Sequence, residues 1–177
     1  MKRITVVGTP GAGKTTLAQH LAAHFTYPFI EIDALYWGPN WSPVSREHFR
    51  DQVARAVAAE HWTTGGNYSV ARDIIWERSD TVIWLDYPFS IVLWRLFRRT
   101  IKRIITREEL WSGNRETWRD AFFSRDSLFL FAIKTHYRRR RTFPAELAQP
   151  AYAHLHTLRF RHPSAATKWV RQLKAPP

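Results

Sequence analysis

Apolar residues recur along this chain in two alternating rhythms. Short runs with period-two or continuous apolar character occupy residues 3–7, 28–32, 61–64, 81–85 and 155–160. Between them, apolar positions three and four apart predict helices over residues 15–25, 45–60, 70–77, 89–105, 116–141 and 164–173, the fifth broken near 124–127. Successive strand side chains point to opposite faces, whereas a helix returns to one face every three or four residues, so the rhythms separate the elements. Ser45 stands where an N-cap belongs, ahead of Phe49, Val53, Ala56 and Val57 on one helix face. Alternating strands and helices predict an α/β fold, a parallel sheet of about five strands covered by helices on both faces. The length fits one domain spanning residues 1–177, with no internal repeat, linker or low-complexity tract.

The junction between the first strand and the first helix reads Gly8-Thr9-Pro10-Gly11-Ala12-Gly13-Lys14-Thr15-Thr16, which contains a Gly-x-x-x-x-Gly-Lys-Thr run. A strand before it (Ile4, Val6, Val7) and a helix after it (Leu17, Ala18, Leu21, Ala22) give the context of a phosphate-binding P-loop. Backbone N–H groups ring an anion in such a loop, and the helix N-terminus adds a favourable dipole. Gly8, Pro10, Gly11, Ala12, Gly13, Lys14, Thr15 and Thr16 then hold the polyphosphate of ATP. Lys14 reaches the β- and γ-phosphates, and the Thr15 hydroxyl binds Mg²⁺.

Ligands of parallel sheets bind beyond the carboxyl ends of the strands, so the residues just after each strand matter. These are Asp33, Gly65-Gly66-Asn67-Tyr68, Asp86-Tyr87-Pro88 and Arg161-His162-Pro163. Asp33 suits water-mediated Mg²⁺ binding or accepting a proton from an acceptor hydroxyl. Asp86, two residues before Pro88 and a long helix, reads as a cap. Arg161 is assigned to the nucleotide. Trp37 and Trp41, near Asp33, suit either stacking on an acceptor or packing.

Charge sharpens this picture. Of a net charge of +12, residues 95–141 contribute +9, from 14 Lys/Arg against 5 Asp/Glu. So local an excess implies a concentrated anion, first of all the polyphosphate. The helix over 89–105 sets Arg95, Arg98, Arg99, Lys102 and Arg103 against Leu93, Phe97, Ile101 and Ile104, with one or two of the cations turned into the site. Arg107, Arg115, Arg119 and Arg125 lie in a polar, Trp-containing stretch that suits a lid over residues 106–127, with Gly113-Asn114 as its flexible point. Phosphoryl transfer needs such cations, and it needs water excluded. The run Arg138–Arg141 reads as a solvated helix end.

Composition excludes several classes. Without cysteine there are no disulfides, thiolate zinc sites or cysteine nucleophiles, which suits a reducing cytoplasm. The longest strongly apolar stretch, residues 128–133, is too short to span a bilayer, and no membrane partner is expected. There is no zinc spacing, RNP-type sequence or helix-turn-helix pattern, so nucleic-acid binding is expected to be weak and non-specific.

With these residues quoted, the chain resembles the adenylate-kinase-like branch of P-loop proteins, closest to the group labelled "DNA topology modulation protein". The motifs that carry the likeness include Asp33-Ala34-Leu35-Tyr36-Trp37, Gly66-Asn67-Tyr68, Trp84-Leu85-Asp86-Tyr87-Pro88, Gly113-Asn114-Arg115-Glu116 and Phe123-Ser124-Arg125-Asp126-Ser127. The resemblance implies an acceptor site at Asp33, Trp37, Gly66, Asn67 and Arg72, and a phosphate clamp of Arg95, Arg99 and Arg125. Gly65 stands where the group carries Asp, which leaves Asp33 as the carboxylate for Mg²⁺. Gly66-Asn67-Tyr68 also differs from the Gly-Phe-Pro-Arg turn of adenylate kinases. The expected activity is transfer of the γ-phosphate of MgATP to a small acceptor, first a nucleotide or nucleoside. The alternatives are a small hydroxyl acceptor of the shikimate or gluconate type, or a nucleic-acid-associated regulatory ATPase.

Overall fold

In the computed structural model, which describes residues 1–123 and 127–173, five strands form one parallel sheet. They are β1 (Arg3–Gly8), β2 (Phe29–Ile30), β3 (Trp62–Gly65), β4 (Thr81–Leu85) and β5 (His156–Phe160), in the order β2-β3-β1-β4-β5. The helices are α1 (Lys14–Phe25), α2 (Ile32–Tyr36), α3 (Arg46–Ala56), α4 (Arg72–Arg78), α5 (Phe89–Thr106), α6 (Leu128–Leu147) and α7 (Pro163–Arg171). The period-two pattern divides the strand side chains between two cores. Val7, Val82 and Trp84 pack with Ile32, Phe49, Ile75 and Phe143 on one face. Ile4, Val6, Ile83 and Leu85 pack with Leu17, Leu21, Val92 and Ala166 on the other. The predicted two-sided α/β sheet is therefore the observed one. Its central strand, β1, delivers the P-loop to the middle of the carboxyl edge.

The ends of the elements differ from expectation in ways that matter for the site. Only Phe29 and Ile30 form β2, and Ile32 already begins α2, so Asp33 lies in a first helical turn rather than in a loop. Ser45 caps α3 as expected, its hydroxyl accepting from the His48 N–H at 3.2 Å. The break predicted near 124–127 falls largely outside the described residues, between a π-helical turn at Arg119–Phe123 and α6. Helix α6 continues to Leu147, so Arg138–Arg141 is not a helix end. The inward stripe of α6 runs through Ala132, Thr135, His136, Arg139 and Phe143.

Asp86 is not a cap either. It is 5% exposed and accepts from Arg140 Nε at 2.6 Å and from Arg159 Nη2 at 2.6 Å and Nε at 3.1 Å. A buried carboxylate needs such counter-cations, and these two come from α6 and β5. Asp86 thereby ties α6 and β5 to the end of β4.

Asp86→Asn keeps the shape and leaves both guanidinium groups without their charge partner. Because each arginine is about one-third exposed, the expected loss is about 2–3 kcal/mol, at or below the low end for a fully buried pair. The urea midpoint measures it, and an unchanged midpoint would show that Asp86 is not a structural tie.

Candidate active site

The P-loop is shaped by what lies behind it. Gly11 has φ +88°, and a Cβ there would sit 2.5 Å from the Val92 carbonyl oxygen and 2.9 Å from Leu96 Cβ. Only glycine fits, because α5 passes directly behind the loop. Gly65 is confined from the other side. A Cβ there would meet the Lys14 carbonyl carbon and the Thr15 nitrogen at 3.1 Å, so β3 abuts the backbone at which α1 begins. A side chain at this position would need the start of α1 to shift by a few tenths of an ångström. Asn67 fixes the loop entry. Its carbonyl oxygen accepts from the Gly8 N–H at 3.1 Å, and its amide donates to the Gly8 carbonyl.

The loop carries positive charge without enough acid to match it. Lys14 lies at the cleft floor and donates to the Thr9 carbonyl at 3.4 Å. Its pKa is lowered to about 7, first by burial and then by Arg139; Asp33 opposes the shift and Arg99 adds to it. Lys14 keeps some contact with water through the open cleft, which tempers the burial effect without removing it. Arg139, 7% exposed, is lowered to about 10 by burial and then by Arg138 and Arg72, against Glu146. Arg99 is also lowered, by burial and by Arg103. Cations that depress one another in this way form a site that a polyanion stabilises. The donor set therefore fits a nucleotide polyphosphate.

Of the five cations on α5, Arg95, Arg99 and Arg103 line the cleft, while Arg98 and Lys102 are exposed and do not. Arg95 approaches the Ala12 carbonyl at 3.5 Å and lies over the Tyr87 ring. Arg103 is held by Glu116 at 2.9 Å and Glu108 at 3.3 Å.

Two acids, Glu31 and Asp33, stand at the start of α2, within electrostatic reach of these cations. Tyr68 donates its hydroxyl proton to Asp33 Oδ1, and its own pKa is pushed up by burial and by Asp33. Glu31, two residues before Asp33, has one carboxylate oxygen without a partner, and its pKa is raised to about 7 by burial and by Asp33, against Arg103. Arg72 pairs with Glu146 at 2.5 Å and packs against the Trp76 and Phe143 rings. Among the described residues Arg139 makes one hydrogen bond, to Thr135 Oγ1 at 3.2 Å. His136 Nδ1 lies 3.1 Å from Thr9 Oγ1, which links α6 to the P-loop.

The segment between α5 and α6 docks on the loop after α2. Asn114 is buried, accepts from the Trp41 N–H at 2.8 Å, and donates to the Gly38 and Trp111 carbonyls at 2.8 Å. Ser112 donates to the Trp37 carbonyl at 2.7 Å, and the Trp41 and Trp111 rings meet edge to face at 6.4 Å. Trp41 has φ +54°, an uncommon conformation for so bulky a residue, held here by Asn114. Asn114 thus joins this segment to the loop after α2, beside Gly113, which has φ +76° and no atom within 4 Å of where a Cβ would be. Arg107, Arg115 and Arg119 are exposed outside the cleft lining.

All this surrounds one open cleft of about 2460 Å³, well above the size of a pocket for one small ligand. It is lined by Pro10, Gly11, Ala12, Gly13, Lys14, Thr15, Thr16, Asp33, Trp37, Gly66, Asn67, Arg72, Arg95 and Arg99, as the sequence predicts. Gly8 sits behind the loop, held by Asn67, and Arg161 is exposed outside the lining because α7 turns Pro163 and Ala166 to the cleft instead. Arg125 lies outside the described residues. Sequence reasoning did not assign Glu31 or Arg139 to the site, and it expected one or two of the α5 cations there where Arg95, Arg99 and Arg103 all line it. The inward stripe of α6 is the signal that reveals Arg139. Among the described residues no three His, Cys, Asp or Glu cluster to hold a metal.

A family model described as the ATPase family associated with various cellular activities (AAA) matches residues 4–86, from β1 to the residue after β4. No curated protein matches the chain. Among solved structures, a gluconokinase from Sinorhizobium meliloti 1021 is 16% identical, with a TM-score of 0.54 over 96% of this chain and 87% of that one. A shikimate kinase from Acinetobacter baumannii, in complex with shikimate, is 16% identical, with a TM-score of 0.56 over 97% and 90%. A sugar kinase from Janibacter sp. HTCC2649 is 19% identical, with a TM-score of 0.52 over 97% and 91%. At such identities these likenesses establish the fold, that of the P-loop NTPases.

Lys14→Met removes one cation from a cluster that repels it. The free protein is expected to melt no lower than wild type, while affinity for a non-hydrolysable MgATP analogue falls about a hundredfold or more. Calorimetry and thermal melting read both, and unchanged affinity would sink the P-loop assignment.

Proposed function

We propose that this protein transfers the γ-phosphate of MgATP to a hydroxyl group of a small anionic acceptor. The carrying observation is Asp33, held by Tyr68 and close enough to Lys14 to raise its pKa. A nucleoside monophosphate offers an anionic oxygen and needs no base, whereas a hydroxyl acceptor must lose a proton. The second carboxylate, Glu31, and the kinase folds that this chain resembles favour the hydroxyl acceptor over the nucleotide one.

In this reading the P-loop and Lys14 hold the β- and γ-phosphates. Mg²⁺, when bound, would offset the charge of the phosphates; Thr15 would hold it directly and Glu31 through water. Tyr68 occupies Asp33 Oδ1, which leaves Oδ2 to take the acceptor proton. The acceptor oxygen then bonds to the γ-phosphorus as the bond to the β-phosphate oxygen breaks, and ADP leaves. Arg95 and Arg99 stabilise the charge on the transferring group. Arg139, buried with one hydrogen bond, and Arg72 beside it bind the anionic group of the acceptor. The part of the lid at Trp111–Arg115, which rests on the Trp37–Trp41 loop, keeps water out.

ADP formation from ATP is measured against hydroxy acids, sugar acids, sugar phosphates, nucleosides and nucleotides. A small hydroxylated acid or phosphate is expected to be the best acceptor. Asp33→Asn lowers kcat by about 10²–10⁴ with ATP affinity nearly unchanged, and Arg139→Met raises the acceptor KM about tenfold or more. A nucleoside monophosphate that outperforms every hydroxyl acceptor, at a rate insensitive to Asp33→Asn, contradicts the proposal.

A further inference from the structure

Of the nine most exposed large apolar side chains among the described residues, eight fall between Trp94 and Tyr137, inside the segment that carries most of the net charge. The two excesses meet on α5. This helix has five Lys/Arg and no Asp/Glu over 18 residues. Val92, Leu96 and Thr100 face the core, and Arg99 and Arg103 face the cleft. The outer face is left with Trp94, Phe97, Ile101 and Ile105, flanked by Arg98 and Lys102. Trp94 is 60% exposed and Ile105 is 69% exposed.

The apolar strip extends beyond the helix. The Trp94 and Phe97 rings stack at 6.2 Å, Phe97 meets Phe122 at 6.1 Å, and Trp118 stacks on Phe122 at 5.7 Å. Arg119 is exposed next to Trp118 in the chain. Among the described residues Arg98, Lys102 and Arg119 form no salt bridge.

We propose that this face docks on an anionic lipid surface, with α5 lying in the interface and its cleft side turned away. An exposed apolar strip of this kind marks an interaction site. The unpaired cations select its occupant. A second copy would set like charges against each other, whereas an anionic headgroup layer neutralises them. The make-up of the strip separates lipid from nucleic acid. Bases stack on rings, but Ile101 and Ile105 offer no stacking plane. Isoleucine, phenylalanine and tryptophan beside Lys/Arg are the side chains that enter the boundary between headgroups and acyl chains. No helix among the described residues is long and apolar enough to cross a membrane, and interfacial docking needs none. Because Arg99 and Arg103 remain on the cleft side, docking leaves nucleotide binding free.

The test is co-sedimentation of the full chain with vesicles of phosphatidylcholine alone and of phosphatidylcholine mixed with phosphatidylglycerol, across a salt series. Binding is expected to the anionic vesicles only, weakening as salt rises. It should be reduced about tenfold or more both in Trp94→Ser/Ile105→Ser and in Arg98→Glu/Lys102→Glu. Retained binding of an MgATP analogue shows that these variants are folded. Any one of four results overturns the proposal. They are no binding to anionic vesicles at low salt, undiminished binding by either double variant, a single-stranded oligonucleotide held through Trp94 without vesicle binding, and a dimer that Trp94→Ser/Ile105→Ser abolishes.

Discussion

The repulsion that Arg139 and Arg99 exert on the buried Lys14 is the constraint around which this molecule is arranged. All three are withdrawn from water to different degrees; Arg139 and Arg99 lower the readiness of Lys14 to carry its charge, while Arg103 does this to Arg99, and Arg138 and Arg72 to Arg139. Left alone such a cluster would push itself apart, so the surrounding structure must hold it. Helix α6 is pinned twice near Arg139. Arg140 is anchored on Asp86 behind β4, and His136 meets Thr9 in the P-loop. These three residues sit within four positions of one another, about one helical turn, so the two anchors leave Arg139 little choice of direction. The close packing of Gly65 against Lys14 and Thr15, and the grip of Asn67 on Gly8, hold the loop from the opposite side.

The same arrangement separates two chemistries within one cleft. Cations dominate where the P-loop meets α5 and α6, while Glu31 and Asp33 stand at the start of α2. Asp33 opposes the depression of Lys14, and Arg103 opposes the elevation of Glu31, so each end tempers the other. Trp41 in its left-handed conformation and the buried amide of Asn114 join the far wall to the segment after α5. The strained conformation of Trp41 is held by that contact together with its indole hydrogen bond to the Arg115 carbonyl and its ring contacts with Trp37 and Trp111.

Much of this was legible in the sequence, because local patterns set it. Period-two strands, the Gly-x-x-x-x-Gly-Lys-Thr junction and the Ser45 cap all emerge from a few adjacent residues. The parallel sheet follows from their alternation. What was not legible depends on where long side chains go after the fold has closed. Arg138–Arg141 reads as a basic run, yet Arg139 turns into the cleft and Arg140 reaches Asp86. The helix extends past the run, and its stripe from Ala132 to Phe143 faces inward. Asp86 reads as a cap because Pro88 follows, yet its partners are 54 and 73 residues away. Gly113-Asn114 reads as flexible, but the Asn114 side chain finds three partners that no local pattern announces. Arg161 follows a strand as a ligand residue should, but the turn into α7 leaves it outside the cleft.

If the cation cluster exists to receive a polyphosphate, nucleotide binding must return a proton to it. Lys14 has a pKa of about 7 in the free protein, and neighbouring phosphates raise it. The bound state then holds more protons than the free state above that pH. Binding is thus strongest below it and weakens as pH rises, by up to about tenfold per unit. Glu31, raised to about 7, is also deprotonated there, so loss of the uptake in Lys14→Met is what assigns it to Lys14. The measurement is calorimetric titration of a non-hydrolysable MgATP analogue in buffers of different ionisation enthalpy, repeated with Lys14→Met. The account predicts uptake approaching about one proton near pH 8.5, little uptake near pH 6, and none in the variant. Absence of proton uptake by the wild-type protein across this range would contradict it.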